Sequence, residues 1–196
     1  FIDGLSTNKV EGTCTTVFTK SNAKIIDMVE VIVVGENIAI VGHNQYKKDL
    51  LEHLNSRILQ QDVSMRDISD FNKVYISFDE YPMSNEITVV QTFRGWILVA
   101  PTSQQVESTL TEKEFNQHRV DHLIPHQGFE ITPAYHPFNC GLHNLVHEAK
   151  GCYIGQEILT RMRSRNKTGK ALHRVEGEQE DATTTGNTHS LVIRRI

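Results

Sequence analysis

The octapeptide Lys150-Gly151-Cys152-Tyr153-Ile154-Gly155-Gln156-Glu157 is the segment whose residue types most directly offer chemistry. Its glycines force an irregular turn, and a lysine two residues before a thiol favours the thiolate, the form that attacks electrophiles and binds soft metals. At the start of a helix, as the spacing suggests here, the positive end of the dipole would favour that form further. The competing reading is a turn cysteine held only for packing. Cys14 lies in a β-branched run and reads as a small buried side chain. Histidines 118, 122 and 126 recur every four residues, as do His143 and His147, a spacing that suits zinc on a helix face. Pro125 should end the helix before His126, and no carboxylate or thiolate stands at ligand spacing, so no metal site is assigned. Arg161, Arg163 and Arg165 would share one face of a strand and could form an anion site, the alternative being a solvated charged face.

The elements that must position these groups belong to a chain of 196 residues, 38% of them apolar, with net charge −4. That length builds a core without disulfide staples. Three cysteines, an odd number, read as reduced thiols in a reducing compartment. The expected location is cytoplasmic, or an organellar matrix if a targeting segment precedes Phe1. No apolar run approaches the ~20 residues of a membrane span, and Glu30 breaks the one at Val29–Val34. Six cations and no acid lie between Ile158 and Val175, on an otherwise acidic chain without interleaved aromatics, which argues against nucleic acid. Thr168-Gly169-Lys170-Ala171 lacks the hydroxyl of a phosphate-binding loop, and no Gly-x-Gly-x-x-Gly is present, so nucleotide-dependent kinase and dehydrogenase chemistry is excluded.

β-branched runs at 12–20, 23–34 and 37–42 predict three hairpin-linked strands. Leu50, Leu51, Leu54 and Ile58 predict an amphipathic helix over 46–59. Strands follow at 73–78, 86–93 and 95–100, then a short helical segment opened by Pro101-Thr102-Ser103. A helix over 112–123 begins with a Thr111/Glu114 capping box. Residues 125–141, rich in Pro and Gly, form an irregular connection. The polar stretch 176–190 reads as a linker, and 191–196 as a strand with no partner after it. Strands and helices without strict alternation indicate an α+β fold.

The octapeptide resembles the KGCYxGQE signature of YgfZ-type folate-binding proteins, relatives of the glycine cleavage T-protein (aminomethyltransferase) that support iron-sulfur enzymes. Other blocks agree in order. Phe1-Ile2-Asp3-Gly4-Leu5-Ser6-Thr7-Asn8 resembles "FLQGLxTN", and Ala23-Lys24-Ile25-Ile26-Asp27 resembles "GGIxDD". Arg119-Val120-Asp121 through Gly128-Phe129-Glu130 resembles "RLEAGxPxxGxE", and Pro137-Phe138-Asn139-Cys140-Gly141-Leu142 resembles "PxExGL". The resemblance spans residues 1–175. It implies antiparallel sheets and packed helices around a central folate cavity, a ferredoxin-like module at about 70–125, and the remnant of a C-terminal β-barrel in strand 191–196.

It also implies a tetrahydrofolate-binding protein that maintains iron-sulfur enzymes through Cys152, with iron-sulfur client proteins as partners. In the aminomethyltransferases the second aspartate of "DD" is the catalytic acid, and Met28 occupies that position here, which argues against aminomethyl transfer. The alternative is a folate-dependent one-carbon transferase or demethylase that retains Asp27 as its acid. Asp121 stands where the family's glutamate grips the pterin, and Gln45 matches a folate-contacting asparagine. Lys150, Tyr153 and Arg161 complete the expected folate-binding set, the cations facing the glutamate tail.

Overall fold

β-branched runs broken by connections of five and two residues leave the start of the chain little choice but hairpins. β1 (Cys14–Thr19), β2 (Ile25–Val34) and β3 (Asn37–Val41) form an antiparallel sheet in that order. The computed structural model describes residues 1–196. Helix α1 (Lys47–Asn55) lays Leu50 and Leu54 on Phe18, Ile26, Val29 and Val31 of this sheet. A second sheet pairs β4 (Asn72–Ser77), β6 (Gly95–Pro101) and β5 (Thr88–Thr92) in the order β4-β6-β5. Helix α2 (Glu112–His122) carries the expected capping box, with Thr111 and Glu114 reciprocally bonded. It stops where Leu123 turns left-handed (φ 55°), two residues before Pro125. Helix α3 (Gln156–Ser164) leads into a third sheet of β7 (Lys170–Glu176), β8 (Thr184–Thr185) and β9 (His189–Arg195), in the order β7-β9-β8. No helix is long and apolar enough to cross a membrane.

The largest core cluster joins the first and third sheets through α2 and the irregular connection. Val17, Ile25 and Met28 meet Val120, Ile131, Cys140 and Leu142, and these meet Leu172, Leu191 and Ile193. The last strand is therefore not stranded. β9 pairs with β7 along its length and with β8 on its other side, and Leu191 and Val192 are fully buried. The stretch expected as a linker, 176–190, contains β8 and buries Thr184 and Ser190. Its polar composition misleads because its hydroxyls are consumed by internal partners: Ser190 Oγ donates to the Gly177 carbonyl, and Thr183 and Thr184 both donate to Glu130.

Three other expectations are corrected. Residues 101–103 end β6 and turn without forming a helix. Segment 72–122 runs strand-strand-strand-helix, whereas a ferredoxin-like module needs two βαβ halves. Arg161 and Arg163 lie on helix α3, not on a strand, because Ile158, Leu159 and Met162 bury together at helical spacing.

One ion pair joins these layers. Glu130 Oε2 accepts from Arg119 Nη1 at 2.8 Å and from the His126 amide at 3.0 Å. Its Oε1 accepts from the Thr183 and Thr184 hydroxyls, each at 2.6 Å. Arg119 also donates to Asn116 and Thr184. Both charges are fully buried. Removing one leaves the other uncompensated in a low dielectric, so Glu130→Gln should lower unfolding free energy by about 3–5 kcal/mol. The double replacement Arg119→Met/Glu130→Leu should recover most of that loss. Urea denaturation followed by circular dichroism measures both, and a Glu130→Gln variant as stable as the parent would show that the pair does not bind the layers together.

Candidate functional site

Phe115, His118 and Arg119 stand at i, i+3 and i+4 on α2 and so share one face. Opposite them stand Ile76 of β4, Phe78 just beyond it, and Arg94 in the turn between β5 and β6. Ile124 and His126, from the connection after α2, close the third side. These residues line a narrow crevice with about 200 Å³ of empty space, nowhere wide enough for a water molecule. The Phe78 ring stacks on His118 at 3.6 Å and runs parallel to Phe115 with centroids 6.0 Å apart. Phe115 meets His126 edge-on at 5.2 Å, and the Arg119 guanidinium lies 5.5 Å from the Phe115 centroid.

Arg94 is fixed as firmly as Arg119. Its Nη2 donates to Glu30 at 2.7 Å and its Nη1 to Gln127 at 2.9 Å, while Gln127 donates in turn to the Met28 carbonyl. Each arginine therefore has a buried carboxylate partner, yet the Nε–H of each has no acceptor. Burial holds the His126 pKa at about 3, with Arg119 and Arg94 adding to the effect, so its ring is neutral at pH 7. Burial also lowers His118.

Behind this wall lies Asp27. Its carboxylate accepts from the Met28 amide at 2.8 Å and the His43 amide at 2.7 Å, and the His43 ring stands 5.9 Å from His126. Burial pushes its pKa to about 7, against the lowering effect of those amides, Gln127 and Arg94. Successive residues of a strand face opposite ways, so Met28 points into the core among Val17, Ile25 and Val120. Asp27 faces the other way, beside Val29 and Leu50 where Gly42 approaches the strand. Met28 is a core residue, and its identity decides nothing about acid–base chemistry at the crevice. Gly42 leaves room for Asp27: a Cβ there would lie 2.6 Å from its Oδ2.

The residues expected to hold folate do not converge. Asp121 is exposed and bonded to Gln117 at 2.8 Å, one turn along α2 from His118 but outside the crevice lining. Gln45 is exposed beside Gly128. Arg161 is exposed and paired with Glu157. Lys150 turns into the protein, where its ammonium bonds the Asp3, Ser6 and Asn8 carbonyls and the Asp3 carboxylate. Its ammonium is thus committed to the first turn of the chain. Tyr153 is a core residue packed with Ala23, Phe138, Val146 and Leu159.

Helix α3 begins at Gln156, so Cys152 lies four residues ahead of it, beyond the first turn over which a helix dipole acts. Cys152 is the exposed cysteine, with Cys14 half-buried and Cys140 buried. Burial raises the pKa of both Cys14 and Cys140. No cluster of three His, Cys, Asp or Glu side chains is arranged to hold a metal ion. His118 and His122 stack at 4.2 Å, while His126 lies beyond the helix end.

The crevice is walled by four aromatic or imidazole rings and by two guanidinium groups whose Nε–H donors lack acceptors, and its gap is too narrow for any ligand unless Phe78 and Phe115 part. Sequence reasoning missed Phe78, Arg94 and Phe115 and weighed His118 and His126 only as zinc ligands, although the Phe115/His118/Arg119 spacing on a capped helix was a readable signal. No protein-family model matches the chain, and no curated protein matches it.

These buried groups predict an acid-sensitive fold with a definite sign. His53 and His136, each lowered by burial to about 4, and His126 bind protons more readily when unfolded, so their contribution is lost as pH falls from 6.5 toward 4. Asp27 acts oppositely. Its raised pKa makes the folded state the better proton binder between its unfolded value of 3.8 and about 7, so it destabilises as pH rises through that window. Asp27→Asn should therefore steepen the acid loss between pH 6.5 and 4.5 by up to about 1.4 kcal/mol per pH unit. Urea midpoints across that range test it, and an unchanged slope in the variant would place the Asp27 pKa near its unfolded value.

Proposed function

We propose that the protein binds a tetrahydrofolate-type pterin in the crevice between the second sheet and α2, and that it supports iron-sulfur enzymes through Cys152. The observation that carries this reading is the crevice wall: stacked rings for a planar ligand, with two guanidinium Nε–H donors left without acceptors in a dry space. The resemblance of the octapeptide to the YgfZ-type signature supports the role of the thiol. So does the division of labour within that segment. Lys150 ties down residues 3–8, Tyr153 fills the core, and the Ile154 carbonyl accepts from Thr19. A Cβ on Gly155 would lie 2.6 Å from Thr19 Oγ1. These contacts hold the loop against the body while Cys152 stays exposed.

A second reading is favoured by one observation, the buried carboxyl of Asp27 with its pKa at about 7. A group poised there suits general acid–base catalysis, and a folate-dependent one-carbon transferase would use it. Turnover with a half-maximal point near pH 7, abolished by Asp27→Asn, would favour this reading over a pure binding role.

Calorimetric titration with 5-formyltetrahydrofolate should give saturable one-site binding. Phe115→Ala, which removes one wall, should weaken it about tenfold, the scale of a lost aromatic contact plus its buried area. Asp121→Asn should leave the dissociation constant unchanged. Absence of heat, or a loss on Asp121→Asn with none on Phe115→Ala, would put the pterin elsewhere or nowhere.

Iodoacetamide at neutral pH should alkylate Cys152 well before Cys14 and Cys140, as exposure dictates. Cys152→Ser should fold and bind folate like the parent, yet fail to restore iron-sulfur enzyme activity in cells lacking the protein. Full restoration by the serine variant would remove the thiol from the function.

A further inference from the structure

The basic run after Ile158 changes its membership once its side chains are placed. Arg161 is paired with Glu157, Arg163 faces Glu148 and donates to the His143 and Val146 carbonyls, and Arg174 donates to the Asp121 carbonyl. Arg165, Lys167 and Lys170 are left exposed and enter no ion pair. Arg195, the last residue of β9, joins them. It lies directly opposite Lys170, the first residue of β7, and it too is exposed and enters no ion pair.

Two cations opposed on one ladder repel, and such pairs destabilise a sheet. Their row is otherwise apolar, for the next residues on that face are Leu172 and Ile193, both buried in the main core. The negative end of the α3 dipole accounts for Arg165 at the helix C-cap, but not for Lys170 or Arg195. The backbone that carries these charges is pinned. Asn139 Nδ2 donates to the Thr168 and Lys170 carbonyls at 3.0 and 2.8 Å, where the chain passes from α3 into β7. The Lys170 ammonium lies 5.6 Å from the Tyr135 ring centroid. Lys24, held beside Tyr135 by the Ile25 amide on its carbonyl, adds a further cation, which donates to the Ala134 carbonyl.

We infer that this end of the third sheet, with Arg165, Lys167, Lys170 and Arg195, is a docking surface for an acidic segment of a partner protein. The inference goes beyond the pterin reading and does not depend on it. Like charges held together without counter-charges are relieved when carboxylates arrive, and cations on separate flexible stems can follow successive carboxylates along a chain. A nucleic acid fits less well. Its binders combine cations with ring faces open to the bases, whereas Tyr135, the ring at this patch, is half-buried with an ammonium over it. The chain as a whole also carries −4, which repels a long polyanion.

The probe is a fluorescein-labelled deca-glutamate peptide, titrated with the intact protein and read by fluorescence anisotropy. Binding should saturate at one site and weaken at least about tenfold between about 50 and 200 mM salt. Lys167→Glu/Lys170→Glu/Arg195→Glu should weaken it at least about tenfold at the lower salt. Lys20→Glu/Lys48→Glu/Lys73→Glu, an equal change of net charge at exposed lysines elsewhere, should alter it less than about twofold. Arg195→Glu alone should weaken binding yet raise the urea midpoint, because it turns opposed cations into a cross-strand ion pair. That single variant decides if the triple one does not fold. No binding by the parent, an equal loss in both triple variants, or a lower urea midpoint in Arg195→Glu overturns the inference. So does tighter binding of a thymidine decanucleotide than of the peptide, which would make the patch a nucleic-acid surface.

Discussion

The buried pair of Arg119 and Glu130 is the constraint on which the rest of the structure turns. Glu130 spends both oxygens on four donors drawn from α2, the connection after it and the third sheet. Nothing else holds the two-residue strand β8 to α2 through charge, and β8 in turn flanks β9, whose Leu191 and Ile193 complete the main core. Isolated burial of either charge would cost several kcal/mol, so the two residues are retained only as a pair with their hydroxyl and amide partners in place. The same arginine forms one wall of the crevice and lies over Phe115 and Phe129. A stabilising device and a candidate binding surface thus share one side chain.

The Arg94–Glu30 pair does for the second sheet what Arg119–Glu130 does for the third. It pins the β5–β6 turn to the first sheet, and Gln127 carries the link on to the Met28 carbonyl. The crevice lies between these two clamps. Its remaining walls are rings and the isoleucines Ile76 and Ile124, and Asp27, whose burial keeps a proton near neutral pH, lies outside its lining beyond His43. On the far side, Lys150 uses a third buried charge to hold the first turn of the chain, residues 3–8, against the loop that presents Cys152.

How much of this was legible depends on the range of the forces. The first two sheets, α1 and α2 could be read because β-branched runs, turn residues and the Thr111/Glu114 box act over a few positions. β8 could not, since its burial comes from Glu130, more than fifty residues away in sequence. The arginines at 161–165 satisfy a strand or a helix period equally, and the apolar trio Ile158, Leu159 and Met162 decides for the helix. Asp121 was assigned to the ligand through a resemblance of linear pattern, but on α2 it is exposed and bonded to Gln117, one turn beyond His118 and outside the crevice lining. Likewise the interest of Met28 passes to its neighbour, because strand alternation sends Met28 into the core and Asp27 toward the polar network. In each case the residue type was read correctly and its direction was set by the element that carries it.

The central claim, that the crevice between the second sheet and α2 receives a pterin, is tested most directly at the two guanidinium groups themselves. Nitrogen-15 NMR of arginine Nε–H signals, assigned with Arg94→Lys and Arg119→Lys variants, can be followed while 5-formyltetrahydrofolate is added. The account predicts that the Arg94 and Arg119 signals both shift and slow their exchange with water as the ligand saturates. Shifts confined to arginines outside the crevice, such as Arg57 or Arg161, would contradict it.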